Sequence, residues 1–140
     1  MRFINCIITI FILIACVVFI GCDAKDGTDT KTFKNITVQE AVELIEDNTN
    51  NTSFIILDVR TPEEFNRGHI EDAINIDFLS DIFNEELDKL EKGNTYFIYC
   101  SSGNRSGKAM TIMESLGFRE VYNLSVGIVN WISQGLPVVN

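Results

Sequence analysis

A cysteine and an arginine, Cys100 and Arg105, have the residue types and the spacing that chemistry on sulfur or on an anion would need. The cysteine ends an apolar run, TYFIYC. The arginine follows a loop of small or polar residues: Ser101, Ser102, Gly103 and Asn104. Because a glycine adopts backbone angles that other residues resist, successive N–H groups of this loop can point toward one anion.

The surroundings of this loop predict a positive site inside an acidic protein. A helix that begins near Asn104 would add partial positive charge at its N-terminus. Arg105 and Lys108 add full charges, and no acid occurs between residues 92 and 113. Such a site would stabilise the thiolate of Cys100 and hold an anion against its sulfur, which suits group transfer through a covalent cysteine intermediate. The alternative is an inert, buried cysteine at the end of a strand.

Composition limits the other functions. The 140 residues suffice for one domain with a core. A formal charge of −9 argues against a nucleic-acid partner, because such binders present basic patches. One histidine and one free cysteine are too few for a tetrahedral metal site, so we expect no metal. The sequence has neither a dinucleotide fingerprint nor a phosphate-loop lysine motif, and it predicts no cofactor.

The N-terminus has the pattern of an export signal: a charged start, an apolar stretch over 3–20, and small residues near its end. Its end, FIGC, resembles the lipobox of bacterial lipoproteins, although Phe19 stands where leucine is usual. That resemblance implies a signal peptide over 1–21 and a lipid on Cys22. The alternative is an uncleaved membrane anchor. Either one places the chain outside the cytoplasm and on a membrane, at the periplasmic face or the outer cell surface.

The polar residues 22–32 predict a flexible tether between this anchor and the globular part. The cysteines divide in the same way. Cys6 and Cys16 lie in the apolar segment, and Cys22 would carry the lipid. Cys100 then remains as a free thiol with no partner for a structural disulfide.

Strands and helices alternate along the rest of the chain. Short apolar runs predict strands over 54–59, 73–76, 95–100 and 121–124. Capping signals and apolar spacing predict helices from residue 38, after Thr61, and over 79–91, 104–116 and 126–134. This alternation predicts an α/β fold with a mostly parallel sheet, in which ligands gather at the carboxyl ends of the strands.

Three linked motifs resemble those of the rhodanese-like domains. They are LDVRTPEEFNRGHIEDAINI, then YCSSGNRSGKAM, then LSVGIVNWISQGLPVV. The resemblance covers 33–140 and implies a three-layer α/β/α domain with a central, mostly parallel sheet of five strands. It also implies a sulfurtransferase in which Cys100 carries a sulfane sulfur as a persulfide and Arg105 faces the anion. The backbone from Ser101 to Ser106 would cradle that persulfide.

The implied partners are a small sulfur donor, such as thiosulfate or a persulfide, and a small acceptor, such as cyanide or a thiol. A protein thiol is an alternative acceptor. An alternative is a persulfide carrier without turnover of its own that serves a membrane partner. A phosphatase, as in the related dual-specificity enzymes, is disfavoured because four residues rather than five separate the cysteine from the arginine.

The resemblance implies supporting roles for residues outside the loop. Asp58, Arg60, Glu64 and His69 would brace the active-site side of the fold, and Trp131 would lie in the core. Two departures from the family occur. Ser101 stands where many members carry a basic residue, and Val126-Gly127 replaces a glycine pair.

Overall fold

A computed structural model describes residues 30–140 of the chain. The predicted signal peptide, the lipid site at Cys22 and most of the predicted tether lie outside these residues. Within 30–140, no helix is long and apolar enough to cross a membrane. The elements, in chain order, are β1 (Thr32–Ile36), α1 (Val38–Asp47), β2 (Phe54–Asp58), α2 (Pro62–Asn66), β3 (Ile74–Asn75), α3 (Phe83–Asp88), β4 (Thr95–Tyr99), α4 (Asn104–Ser115), β5 (Glu120–Leu124) and α5 (Gly127–Ser133).

The five strands form one parallel sheet in the order β1-β5-β4-β2-β3, which confirms the predicted fold class. β4 is the central strand and pairs with β2 on one side and β5 on the other. A strand in this position is covered on both faces, which is why its sequence reads as a continuous apolar run. The chain leaves β4 at Cys100, in the middle of the carboxyl edge of the sheet.

Two cores cover the two faces of the sheet, and β4 contributes to both by simple alternation. Tyr96, Ile98 and Cys100 belong to the core that contains α3 and α4. Phe97 and Tyr99 belong to the core that contains α1 and α5. Successive strand side chains point to opposite faces. The thiol of Cys100 is therefore on the face of the sheet that α4 covers.

Capping boxes begin the first two helices, where the sequence predicts capping signals. In α1, the Glu40 N–H donates to the Thr37 hydroxyl, and Glu40 accepts the Thr37 N–H in return. Thr61 and Glu64 make the same exchange at α2, with Pro62 at the first helical position. The second box fixes where the Glu64 carboxylate lies.

The helix predicted over 79–91 is wrong in its length, because α3 spans only Phe83–Asp88. Asp77 accepts the Leu79 N–H at 2.9 Å, and the Ser80 hydroxyl accepts the Ile82 N–H at 3.3 Å. Such side chains compete with the helical backbone for its donors. Leu79 and Ile82, which lie within the predicted range but before α3, are 65% and 48% exposed.

β1 is a strand that the apolar patterns did not single out. It begins at Thr32, and its middle residues, Lys34 and Asn35, are exposed. β1 lies at the edge of the sheet and pairs with β5 alone. An edge strand of this kind carries polar residues, so its sequence lacks the continuous apolar run of a central strand.

Candidate active site

The site lies where the carboxyl ends of β4 and β2 meet the start of α5. β4 delivers Cys100, and the loop after it leads into the first turn of α4. The backbone of this loop is tied to α5, because the Ile128 N–H donates to the Cys100 carbonyl at 2.9 Å and the Val129 N–H donates to the Ser101 carbonyl at 3.2 Å. The start of α5 therefore holds the backbone of Cys100 and Ser101 in place.

Hydrogen bonds surround the sulfur of Cys100, whose residue is 1% exposed. The Gly103 N–H donates to it at 3.2 Å, and the Ser106 hydroxyl lies at 3.5 Å. Burial raises the pKa of this thiol, but donation from the Ser106 hydroxyl and from the N–H groups of Ser106, Ser102 and Gly103 outweighs burial and leaves the pKa below its ordinary value. Backbone N–H groups of the loop and of the first turn of α4 thus face the sulfur.

Two glycines allow the loop and α5 to approach each other. Gly103 has φ +88°, and a Cβ there would overlap the carbonyl of Ser125. Gly127 has φ +67°, and a Cβ there would overlap the backbone between Ser101 and Ser102. Only glycine adopts these angles without strain and leaves this space. Of the glycine pair that relatives carry before the last helix, this chain keeps the one that the packing requires.

Glu64 pairs with Arg105, although the two residues lie on different elements. The guanidinium donates from Nη1 to Oε2 and from Nη2 to Oε1, both at 2.7 Å. The Ser101 hydroxyl donates to Oε1 at 2.6 Å and accepts from Nη2 of Arg105 at 2.9 Å. These donors, of which Arg105 has the largest effect, hold the pKa of Glu64 far below its usual range. Glu64 in turn raises the pKa of Arg105. Glu64 therefore offsets the charge of Arg105 on which the predicted positive site depended.

A second ion pair braces the end of β2. Asp58 is fully buried, and its Oδ2 accepts from Nη2 of Arg60 at 2.6 Å. The same Nη2 donates to the Gly68 carbonyl at 2.7 Å, beyond the end of α2. Asn75 donates to the carbonyls of Asp58 and Arg60, which ties β3 to the same corner. These contacts tie the end of β2 to the end of α2 and to β3.

The structure places the remaining predicted residues in different surroundings, some exposed and some packed in the core. Ser102 is exposed in the loop, and Asn104 is the exposed first residue of α4, so their side chains face solvent while the Ser102 backbone serves the thiol. His69 stacks on Phe65 with ring centroids 3.7 Å apart. Trp131 is buried in the core, as expected, and donates from Nε1 to the Pro137 carbonyl.

The pairing of Glu64 with Arg105 is the contact that sequence reasoning missed. The resemblance explained Glu64 only as a residue that braces the active-site side of the fold. We inferred the charge of the loop from the neighbours of Arg105 along the chain, and 41 positions separate the two residues. The helix cap holds the carboxylate of Glu64 in place through one oxygen and leaves its other oxygen open to another donor. That open oxygen was the signal that could have revealed the pairing.

Within residues 30–140, no group of three or more histidine, cysteine or acidic side chains is placed to hold a metal ion. The site is built around the buried, hydrogen-bonded thiol of Cys100. Together, the parallel sheet and the cysteine loop at its carboxyl edge define an α/β protein built around one activated cysteine.

A family model described as the rhodanese-like domain matches residues 37–134, and the chain belongs to that family. A protein of Allochromatium vinosum named sulfurtransferase is 34% identical over 85 residues, which cover 61% of this chain and 78% of that protein. The tRNA uridine(34) hydroxylase of Enterobacter sp. is 32% identical over 125 residues, which cover 81% of this chain but 35% of the hydroxylase. The crystal structure of a rhodanese-related protein from Thermoplasma volcanium matches with a TM-score of 0.63 and 32% identity, over 76% of this chain and 98% of that one.

Proposed function

We propose that this protein is a sulfurtransferase that moves a sulfane sulfur through a persulfide on Cys100. The observation that carries the proposal is the sulfur of Cys100, held among N–H donors that lower the pKa of its thiol. A thiolate is the nucleophile that sulfur transfer needs, and the same donors suit the charge of a persulfide. Membership of the rhodanese-like family and a relative named sulfurtransferase support the proposal.

The reaction has two displacements. The Cys100 thiolate attacks the outer sulfur of a donor such as thiosulfate or a persulfide, the S–S bond of the donor breaks, and sulfite or a thiolate leaves. The outer sulfur of the resulting persulfide is then attacked by cyanide or a thiol, and Cys100 leaves as the thiolate. Charge and atoms balance in both steps, and neither step needs a cofactor. Arg105 would face the anionic end of the donor.

The alternative is a persulfide carrier that holds sulfur on Cys100 for a protein acceptor without fast turnover. The uncharged Ser101, in place of the basic residue of many relatives, favours this reading. We also propose, from the sequence of residues 1–22, that a lipid on Cys22 attaches the protein to a membrane outside the cytoplasm. A membrane protein that donates or accepts sulfur would then be the natural partner.

Intact mass spectrometry of the full chain tests the main proposal. After incubation with thiosulfate or glutathione persulfide, the protein should gain the mass of one sulfur atom and lose it on addition of cyanide. The matched control is Cys100→Ser, which keeps the other three cysteines and should gain nothing. No gain from any donor, with Cys100 still open to alkylation, would refute the proposal. A stable gain with negligible turnover would favour the carrier.

A further inference from the structure

The guanidinium of Arg105 is already occupied. Its two outer nitrogens hold the two oxygens of Glu64 at 2.7 Å each. This parallel, bidentate arrangement is the one by which an arginine recognises the oxygens of a planar or tetrahedral anion. A sulfonate group of a donor would need the same donors. Glu64 therefore competes directly with an anionic substrate for Arg105.

Several contacts fix Glu64 in this position. Oε1 also accepts from the Ser101 hydroxyl at 2.6 Å, and Oε2 accepts from the N–H and the hydroxyl of Thr61, both at 3.1 Å. The side chains of Glu64 and Arg105 are 28% and 23% exposed, so the pair is partly shielded from water. The carboxylate stays ionised well into acid because Arg105 depresses its pKa. Its negative charge is a permanent part of the site.

The other side chains near Cys100 add no net charge. The loop over 101–104 is uncharged, and Arg60 is buried against Asp58. Lys108 is exposed further along α4. The N–H groups that face the sulfur remain, and they suit a single negative charge. A donor with two negative charges would therefore have one negative charge that these N–H groups do not compensate.

We propose that Glu64 is a specificity-determining residue that sets the site for sulfane-sulfur donors of one negative charge, such as thiosulfonates and small persulfides, against the thiosulfate dianion. This inference rests on the proposed function and names its class of donor. With a thiosulfonate, the Cys100 thiolate attacks the outer sulfur, the S–S bond breaks, and a sulfinate leaves with one negative charge. With a persulfide, a thiolate leaves in the same way.

Two donors of nearly equal shape isolate the charge. Methanethiosulfonate differs from thiosulfate by a methyl group in place of one charged oxygen, and both transfer the same outer sulfur. We would measure kcat/KM for each donor with cyanide as acceptor. In the wild-type protein, methanethiosulfonate should be the better donor. Glu64→Gln keeps the size of the side chain and removes its charge.

The expected effect is selective for thiosulfate. Glu64→Gln should raise kcat/KM for thiosulfate by about tenfold, mainly through a lower KM, because one unfavourable charge contact is lost. The value for methanethiosulfonate should change by less than about threefold. Glu63→Gln is the matched control, since Glu63 lies on the same helix, is exposed and contacts Arg67 rather than Arg105. It should leave the ratio between the donors unchanged.

Ser101→Ala provides an independent test. It removes one donor to Glu64 without changing any charge and should move the ratio toward thiosulfate by a smaller factor. If Glu64→Gln does not unfold cooperatively, Ser101→Ala alone decides. An equal change for both donors, or a loss with both, would overturn the inference, because Glu64 would then only position Arg105. If the wild-type protein loads sulfur from both donors and the ratio never moves, this inference fails and the proposed function stands. Loading from neither donor would refute the function itself.

Discussion

At the scale of single residues, the reactivity of Cys100 depends on one buried hydroxyl and several backbone groups. Ser106 is fully buried and lies 3.5 Å from the sulfur. The N–H of Gly103 approaches the sulfur more closely still. Burial alone would favour the protonated thiol, and these donors shift the balance toward the thiolate.

Ser106→Ala should raise the pKa of Cys100 by about one pH unit, since a hydrogen bond to a charged group contributes ~1.5 kcal/mol. The thiolate exists above the pKa of the thiol, and this pKa lies below its ordinary value in the native protein. The midpoint of the pH–rate profile for alkylation of Cys100 should therefore shift upward in the variant, and the rate near neutral pH should fall.

Ser102→Ala is the control for this shift, because Ser102 acts through its backbone N–H while its side chain is exposed. Its profile should match that of the wild-type protein. Equal midpoints for Ser106→Ala and the wild-type protein would contradict the assignment of the hydroxyl to the thiolate.

The sequence predicted the reactive residue better than it predicted the charges around it. Cys100 and its glycine-containing loop are local features, so their spacing along the chain was enough. The neutralisation of Arg105 by Glu64 depends on how α2 packs against α4. No local pattern contains that information, because the two residues lie 41 positions apart along the chain.

At the scale of elements, a buried ion pair joins β2, the end of α2 and β3. Asp58 has no exposed surface, and Arg60 spans from it to the Gly68 carbonyl. α2 in turn carries Glu64 to the active-site loop. The alignment of the site thus depends on a contact beyond the site.

Asp58→Ala should destabilise the protein by about 3–5 kcal/mol, because it leaves the buried guanidinium of Arg60 without its counter-charge. Urea unfolding of the variant and the wild-type protein would measure the loss. Glu63→Ala serves as the control, since it breaks an exposed pair with Arg67 at 3.9 Å and should cost less than about 1 kcal/mol. Similar losses in the two variants would show that the buried pair does not brace this corner.

The elements that the sequence predicted well are those with strong local signals. The first two helices begin at their predicted caps, and β4 formed from its continuous apolar run. The prediction was wrong for α3, where the side chains of Asp77 and Ser80 take donors that a longer helix would use. Apolar spacing does not reveal this competition.

At the scale of the whole molecule, the chain has 20 acidic and 11 basic residues. A net negative field slows the approach of anions and is screened by salt. The site is thus reached through a field that opposes dianionic donors, in addition to the local charge of Glu64.

Raising the ionic strength from about 0.01 M to about 0.15 M should increase kcat/KM for thiosulfate by about two- to threefold, because screening weakens this repulsion. The increase for methanethiosulfonate should be smaller, and alkylation by neutral iodoacetamide should not respond. Stopped-flow or initial-rate measurements at constant pH would give these slopes. A rate with thiosulfate that falls as salt is added would show that a local positive field dominates.

The place of β1 in the sheet has a consequence for how the molecule is made. β1 pairs with β5 alone, and the amide of Asn123 reaches back across 88 positions to Asn35. During synthesis, β1 leaves the ribosome well before β5, so β1 cannot pair until β5 has also emerged. Closure of so distant a contact is slow compared with local helix formation. β1, the strand next to the predicted anchor, would therefore join the sheet last, after nearly the whole chain had left the ribosome.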